Sequence, residues 1–282
     1  LIAYIKTDIP IILWTDGTFK SYYDLYFKNE RIHSSTLKQG NILESEAFKK
    51  SKYLFFSSNW AAEYAKNYYP QHKNKIKVIP FGCNFINVPT KEQIINSLKG
   101  KNLSKIKLIS VGVDWKRKGM NHSVELVRYL NDQGINSELT IVGCKPPANY
   151  KNLNYIKIRG FIDKNNSLGE KELSDLYLNS HFNLLFSEAE AFGVVLSEAN
   201  AHGVPNIAFD VGGISSVINN RGGGKIFKKN TSMKMVGDFI INIIKNEKNY
   251  TDFCLDSLKR YEEELNWNLS GRKVIQYLKN IF

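Results

Sequence analysis

Two glutamates, Glu190 and Glu198, flank an apolar-periodic run that starts at Gly193, with seven residues between them. Paired carboxylates suggest general acid–base work. In glycoside hydrolysis, however, the two groups face each other across the scissile bond, about 5 to 9.5 Å apart. Here they lie in series along one element, so the chemistry that fits better is acceptance of hydrogen bonds from hydroxyls. A helix opened by Gly193 presents unpaired amides at its positive end, a ready site for an anion. A second loop, Gly112-Val113-Asp114-Trp115-Lys116-Arg117-Lys118-Gly119, follows an apolar run and precedes another helical pattern. Arg offers phosphate a fork of donors and Lys a point charge. A diphosphate between Arg117/Lys118 and the Gly193 amides would leave Glu190 beside sugar hydroxyls. Glu198, ~7.5 Å along the helix at ~1.5 Å per residue, would then suit a ribose diol. Each residue also has a bland reading. Glu190 could be a helix-terminal charge worth a few tenths of a kcal/mol, Glu198 a solvated helix residue and the basic loop a solvated turn.

The elements that must position these groups read as alternating strands and helices. Phe182 to Phe186 is a strand, Gly193 opens a helix, and Asn206 to Phe209 is the next strand. Strand, acidic turn, helix N-terminus and strand make a ligand-binding edge of an α/β sheet. Upstream, Lys107 to Val111, Leu139 to Val142 and Tyr155 to Ile158 are strands, and His122 to Asp132 and Leu173 to Leu178 are helical. Downstream, Gly212-Gly213 starts a helix to Ile218, and Lys225 to Phe227 is a short strand. The N-terminal part gives a shorter series. Strands run from Ile9 to Trp14, Tyr53 to Phe56 and Lys75 to Ile79, with a helix from Asn41, its expected cap, to Lys50. A second helix, capped by Ser58 or Asn59, runs to Tyr68. The expected class is α/β, with two Rossmann-like domains of parallel sheet facing a cleft. Residues 1–85 form the first domain, 86–104 a polar linker and 105–255 the second domain. Residues 256–282 are C-terminal helices that pack back toward the first domain.

At 282 residues the chain can bury a large core, and 43% apolar with 23% charged residues is ordinary for a globular protein. The three cysteines, Cys83, Cys144 and Cys254, suggest neither a metal site nor a disulfide framework. No two histidines have metal-ligand spacing, and His33 and His72 read as surface residues. The net charge of +12 points to an anionic substrate or an anionic membrane surface, or to biased base composition. Nucleic acid is disfavoured: only seven of 39 basic residues are Arg, and no aromatic-interleaved basic stripe appears.

Six motifs, in order and spacing, resemble those of family 4 glycosyltransferases of the GT-B fold. They are Val78-Ile-Pro-Phe-Gly82, Gly112 to Gly119, Leu139-Thr-Ile-Val-Gly143, Glu190 to Glu198 (the family's E-x7-E), Ala201-His-Gly-Val-Pro205 and Val211-Gly-Gly-Ile214. The resemblance implies retaining, metal-independent transfer of a hexose-type sugar, without a cofactor, from a UDP- or GDP-sugar to a glycan or lipid-linked acceptor. It implies that Glu190 meets the donor sugar and that Arg117 and Lys118 neutralise the leaving diphosphate. Gly112 and the amides of Phe192, Gly193 and Val194 would line the donor. Glu198 would hold the ribose, and the backbone near Phe161 and Ile162 would meet the base. It implies a cytoplasmic protein active in cell-surface polysaccharide synthesis, peripheral at the inner face of a membrane. There are departures. Val113 stands where the family often has Arg, and Ser216 where it has Glu. The Gly-rich loop and acceptor-side His expected before Ile9 are missing, so roughly a hundred further residues are expected to precede Leu1. Without them the chain could instead act as a non-catalytic nucleotide-sugar-binding module. Asp16 is the polar residue of the first domain expected near the cleft.

Overall fold

A computed structural model describes residues 2–28, 30–150, 153–279 and 281. Three parallel strands form the first sheet: β1 (Ile11–Thr15), β2 (Ser51–Phe56) and β3 (Ile76–Val78), in the order β1-β2-β3. Between them run α1 (Phe19–Tyr22), α2 (Ser34–Lys50) and α3 (Asn59–Tyr68). The tyrosine-rich stretch Tyr23–Phe27 continues α1 as a π-helical turn. Next comes α4 (Lys91–Lys99), with the second sheet after it. Its strands are β4 (Ile106–Val111), β5 (Ser137–Val142), β6 (Ile156–Ile158), β7 (Phe182–Leu185), β8 (Asn206–Phe209) and β9 (Gly224–Phe227). Its helices are α5 (Met120–Asp132), α6 (Ser167–Leu178), α7 (Val194–Ala201) and α8 (Ile214–Val217). Then follow α9 (Met233–Ile244), α10 (Glu247–Glu263) and α11 (Trp267–Leu278). The helical reading of the tail extends to residues 280 and 282, which lie outside the described residues.

The second sheet has the order β6-β5-β4-β7-β8-β9, every pair parallel. Counted from β4, this is 3-2-1-4-5-6, the doubly wound order whose strand direction of travel reverses between the first and fourth strands. The reversal falls between β4 and β7. These two strands pair only through Leu108 with Phe182 and Ile109 with Asn183. Beyond that point their connecting loops diverge, and a crevice opens at their carboxyl ends. The core beneath it is a continuous apolar layer including Leu108, Leu139, Phe182 and Ile207.

Two details differ from the sequence expectations. Asn41 does not cap a helix. α2 begins seven residues earlier, at Ser34, with the His33 ring accepting from the Ser35 amide. Asn41 lies inside α2 and takes a hydrogen bond from the Tyr69 hydroxyl at 3.0 Å. The polar first turns of α2 hide the start, because only Phe48 of this helix is buried. His72 is not a surface residue: it is 8% exposed and packs edge-on to Phe48. Within residues 86–104, α4 buries Ile94 and packs onto the second domain, with Ser97 donating to the Leu178 carbonyl at 3.0 Å.

The two sheets meet along an aromatic seam. Phe81, just after β3, packs on Phe192 at 5.5 Å between ring centroids. α11 returns to the first sheet, where Tyr277 packs on Tyr53 and Phe55, and Ser270 donates to the Pro80 carbonyl at 2.7 Å.

Candidate functional site

The loops after β4 and β7 carry the candidate residues, and they are tied to each other. The Glu188 amide donates to the Arg117 carbonyl at 2.8 Å. Lys118, though lysine is among the residues least often buried, is only 8% exposed. Its stem runs past Gly112, where a Cβ would stand 2.7 Å from Lys118 Cγ, so the close approach depends on glycine. The ammonium reaches Glu190 Oε2 at 2.6 Å. The same oxygen accepts from Ser187 Oγ at 3.2 Å and lies 3.9 Å from an Arg117 nitrogen. Oε1 of Glu190 accepts no hydrogen bond from any described side chain. Thus Glu190, Arg117 and Lys118 form one cluster, and neither Glu190 nor Lys118 is a solvated surface charge.

α5 and α7 both start at this crevice, and both have a glycine cap in the left-handed region: Gly119 at φ 66° and Gly193 at φ 87°. Neither cap has a side chain to offer the first-turn amides. By contrast α3, α4, α6, α9, α10 and α11 are each closed by a Ser, Thr or Asn side chain. At α7 the Val194 and Val195 amides have no partner among the described residues, whereas at α5 the Met120 amide donates to the Trp115 carbonyl at 3.1 Å and the His122 amide to the Gly119 carbonyl at 3.0 Å, so the amino-terminal donors left for an anion lie mainly at α7. The ring of Phe192 is buried in the seam, so only its backbone can serve a ligand. Val194 is half-buried at the mouth.

A cavity of about 290 Å³ adjoins this cluster. It gathers Gly112, Lys118, Phe161, Ile162 and Glu198, with Val195 and Lys164. The Phe161 ring is 74% exposed at its rim. Glu198 is 1% exposed and pairs through Oε1 with Lys164, while Oε2 faces the Tyr177 hydroxyl at 3.5 Å. Burial pushes its carboxyl above the ordinary range, and the Lys164 ammonium only partly offsets that.

Sequence reasoning missed two contributors, Lys164 and Tyr26, and the role of a third, Ser216. Lys164 sits in a polar Asp-Lys-Asn-Asn turn that carries no motif. Tyr26 reaches across from the first domain: its hydroxyl accepts the Ala191 amide at 3.0 Å, and Arg117 lies 6.0 Å from its ring centre. Ser216, at the family's Glu position, accepts the Asn59 amide at 3.0 Å, so it fastens α3 to the second domain. Asp16 accepts from the Tyr22 hydroxyl within the first domain. No described residues form a group of three or more His, Cys, Asp or Glu that could hold a metal ion, and no described helix is long and apolar enough to cross a membrane.

Two parallel sheets facing each other, with the site at the strand reversal of the second, define an α/β protein of the GT-B type. The family described as glycosyl transferases group 1 matches residues 91–255, more than half of the sequence, and the chain belongs to that family. No curated protein sequence matches significantly. Among solved structures, a sucrose-phosphate synthase from Thermosynechococcus elongatus is similar, with 18% identity and a TM-score of 0.72 over 96% of this chain and 67% of that one. WaaG, described as a glycosyltransferase involved in lipopolysaccharide biosynthesis, has 17% identity and a TM-score of 0.69 over 94% and 74%. HepE (Alr3699) of Anabaena, in complex with UDP and glucose, has 14% and 0.66 over 96% and 71%. At these identities the likeness establishes the fold.

Proposed function

We propose that the chain is a retaining family 4 glycosyltransferase. It moves a hexose-type sugar from a UDP- or GDP-sugar to a glycan or lipid-linked acceptor. The observation that carries this reading is the Lys118–Glu190 pair at the strand reversal, beside two helix starts without side-chain caps and a cavity holding Glu198. In this reading the base lies against the backbone of Phe161 and Ile162, and Glu198 accepts from the ribose. The diphosphate lies between Arg117, Lys118 and the amides of Phe192, Gly193 and Val194. Glu190 offers Oε1 to sugar hydroxyls. Breaking the bond between the anomeric carbon and the phosphate oxygen leaves charge on the diphosphate. Two fixed cations and the start of α7 stabilise that developing charge more than the ground state. HepE, which is similar in fold, is in complex with UDP and glucose, and this supports a nucleotide-sugar donor here. Cell-surface polysaccharide synthesis at the cytoplasmic face of an anionic membrane is the setting that fits the acceptor class and the net charge of +12.

Calorimetry with UDP-, GDP- and ADP-sugars tests the donor half. One nucleotide should bind, at least tenfold more weakly in Lys118→Ala and Glu198→Ala, a change of about 1.4 kcal/mol. Sugar transfer should survive EDTA and be lost in Glu190→Ala. Salt-sensitive RNA binding with no nucleotide-sugar binding would overturn the reading.

A further inference from the structure

The second domain has another cavity, of about 430 Å³, at the opposite end of its sheet, where β4 and β7 begin. Lys101, Lys105, Lys107 and His181 line it with Asn96 and Asn102, and none of its lining residues is acidic. Only Lys105 has a carboxylate partner among the described residues, Glu138 at 2.8 Å, and Glu138 is shared with Lys157 at 2.9 Å. The Lys101 ammonium donates to the Ser180 carbonyl, one bond for a group with three donors. Burial lowers its pKa to about 8, and the Lys107 charge acts in the same direction.

His181 supplies a second, independent sign. It is 2% exposed. Its amide donates to the Lys107 carbonyl at 2.7 Å, and its Nδ1 accepts from the Lys107 amide at 2.9 Å. An Nδ1 that accepts leaves the proton of the neutral ring on Nε2. That Nε2–H is buried and has no hydrogen-bond partner. The Asn102 backbone approaches the ring closely enough to favour its protonated form, though outside the distance and angle of a full hydrogen bond to Nε2. A buried donor left unsatisfied is unfavourable, and here it stands beside ammonium groups that repel one another.

We propose that this cavity binds a phosphate-bearing anion, with Lys101 and Lys107 supplying charge and the His181 Nε2–H a hydrogen bond. One polyanion would answer both ammonium groups, and a small shift of the buried ring would bring its Nε2–H within reach. The cavity lies away from the crevice at the carboxyl ends of the strands, so the proposal is independent of the donor-site reading. A free phosphate compound and a lipid phosphate headgroup share the required chemistry.

Inorganic pyrophosphate is the probe, measured by calorimetry in the Lys118→Ala background, which weakens binding at the crevice. Binding should persist there and fall at least tenfold when Lys107→Gln is added. Lys107 is half-exposed, and circular dichroism checks that the variant is folded. Lys101→Met, at a more buried position, should give a similar loss. Sedimentation with phosphatidylcholine vesicles, with and without phosphatidic acid, distinguishes the sources. Lys107-dependent binding to phosphatidic acid identifies a headgroup, and pyrophosphate binding without vesicle binding identifies a soluble anion. If neither probe binds in the Lys118→Ala background, or if binding there is indifferent to Lys107→Gln, the proposal fails.

Discussion

Glu198 and Lys164 show how far residue types alone can carry a reading. Spacing placed Glu198 on the same helix as Gly193, but nothing in the sequence reveals that a lysine from a separate loop meets it. That pairing is long-range, 34 positions apart, and Lys164 belongs to a polar turn with no periodicity. The structure also shows that Glu198 is buried, so its charge needs a partner. Removing one partner of a fully buried pair costs roughly 3–5 kcal/mol. Lys164 is 30% exposed, and solvent screening reduces the figure. Lys164→Ala should therefore destabilise by about 1–2 kcal/mol at pH 7, measured by urea denaturation. Glu198 already titrates above the ordinary carboxylate range. As pH falls it takes up a proton in both proteins, the ion pair is lost from the parent too, and the difference between them should shrink. A difference that grows toward low pH would contradict this. Nucleotide affinity should fall in the same direction, since a protonated Glu198 has less capacity to accept from a ribose diol.

At the scale of elements, the strand–loop–helix order around the crevice was legible, because apolar runs such as Phe182 to Leu185 and glycines such as Gly193 mark it locally. The sheet order was not, since it depends on which strands pair across the core. The starts of α5 and α7 are the elements most sensitive to change, and their two cap glycines should not respond alike. Both have positive φ, which costs a side-chain-bearing residue about 1–2 kcal/mol. At Gly193 an added Cβ would meet the tip of Leu196 at 3.0 Å and Glu190 Cγ at 3.4 Å, side-chain atoms that can give. At Gly119 it would stand 2.0 Å from the Phe186 carbonyl oxygen, part of the backbone leaving β7. Gly193→Ala should cost about 1–2 kcal/mol. Gly119→Ala should cost more than about 4 kcal/mol, because either the Arg117–Lys118 loop or the end of β7 must move. Equal losses in urea denaturation would show that the contact at Gly119 relaxes easily.

The whole molecule is one assembly of two sheets joined by a seam that also touches the site: Tyr26 holds Ala191, Ser216 holds Asn59, and α11 closes over the first sheet. Such a fold, carrying a net charge of +12, gains further positive charge in acid, and its buried histidines cost it stability there: His72, whose pKa burial also lowers, and most strongly His202 and His181. His202 follows α7 and is 1% exposed. Its Nδ1–H donates to the Glu198 carbonyl at 2.7 Å, so its Nε2 accepts from Ser174 at 2.9 Å. Burial lowers its pKa to about 4, and burial with Lys101 and Lys107 does the same for His181. In the unfolded chain both titrate near the ordinary value of 6.5. Between 6.5 and 4 the unfolded state therefore binds more protons, and stability must fall as pH falls. Each contribution is complete above 6.5 and lost progressively toward 4, which amounts to on the order of 2 kcal/mol per histidine by pH 5. The raised carboxyl of Glu198 acts in the opposite direction, because its protonation favours the folded chain. Urea denaturation at pH 7.5, 6 and 5 should thus show a loss approaching about 4 kcal/mol, reduced by that offset. His202→Gln should flatten the profile between pH 6.5 and 5, because one of the neutral rings is gone. A stability that stays level from pH 7.5 to 5 would mean that these rings take up protons in the folded protein. The hydrogen bonds from Ser174 to His202 and from the Lys107 amide to His181 would then have to break without cost to the fold.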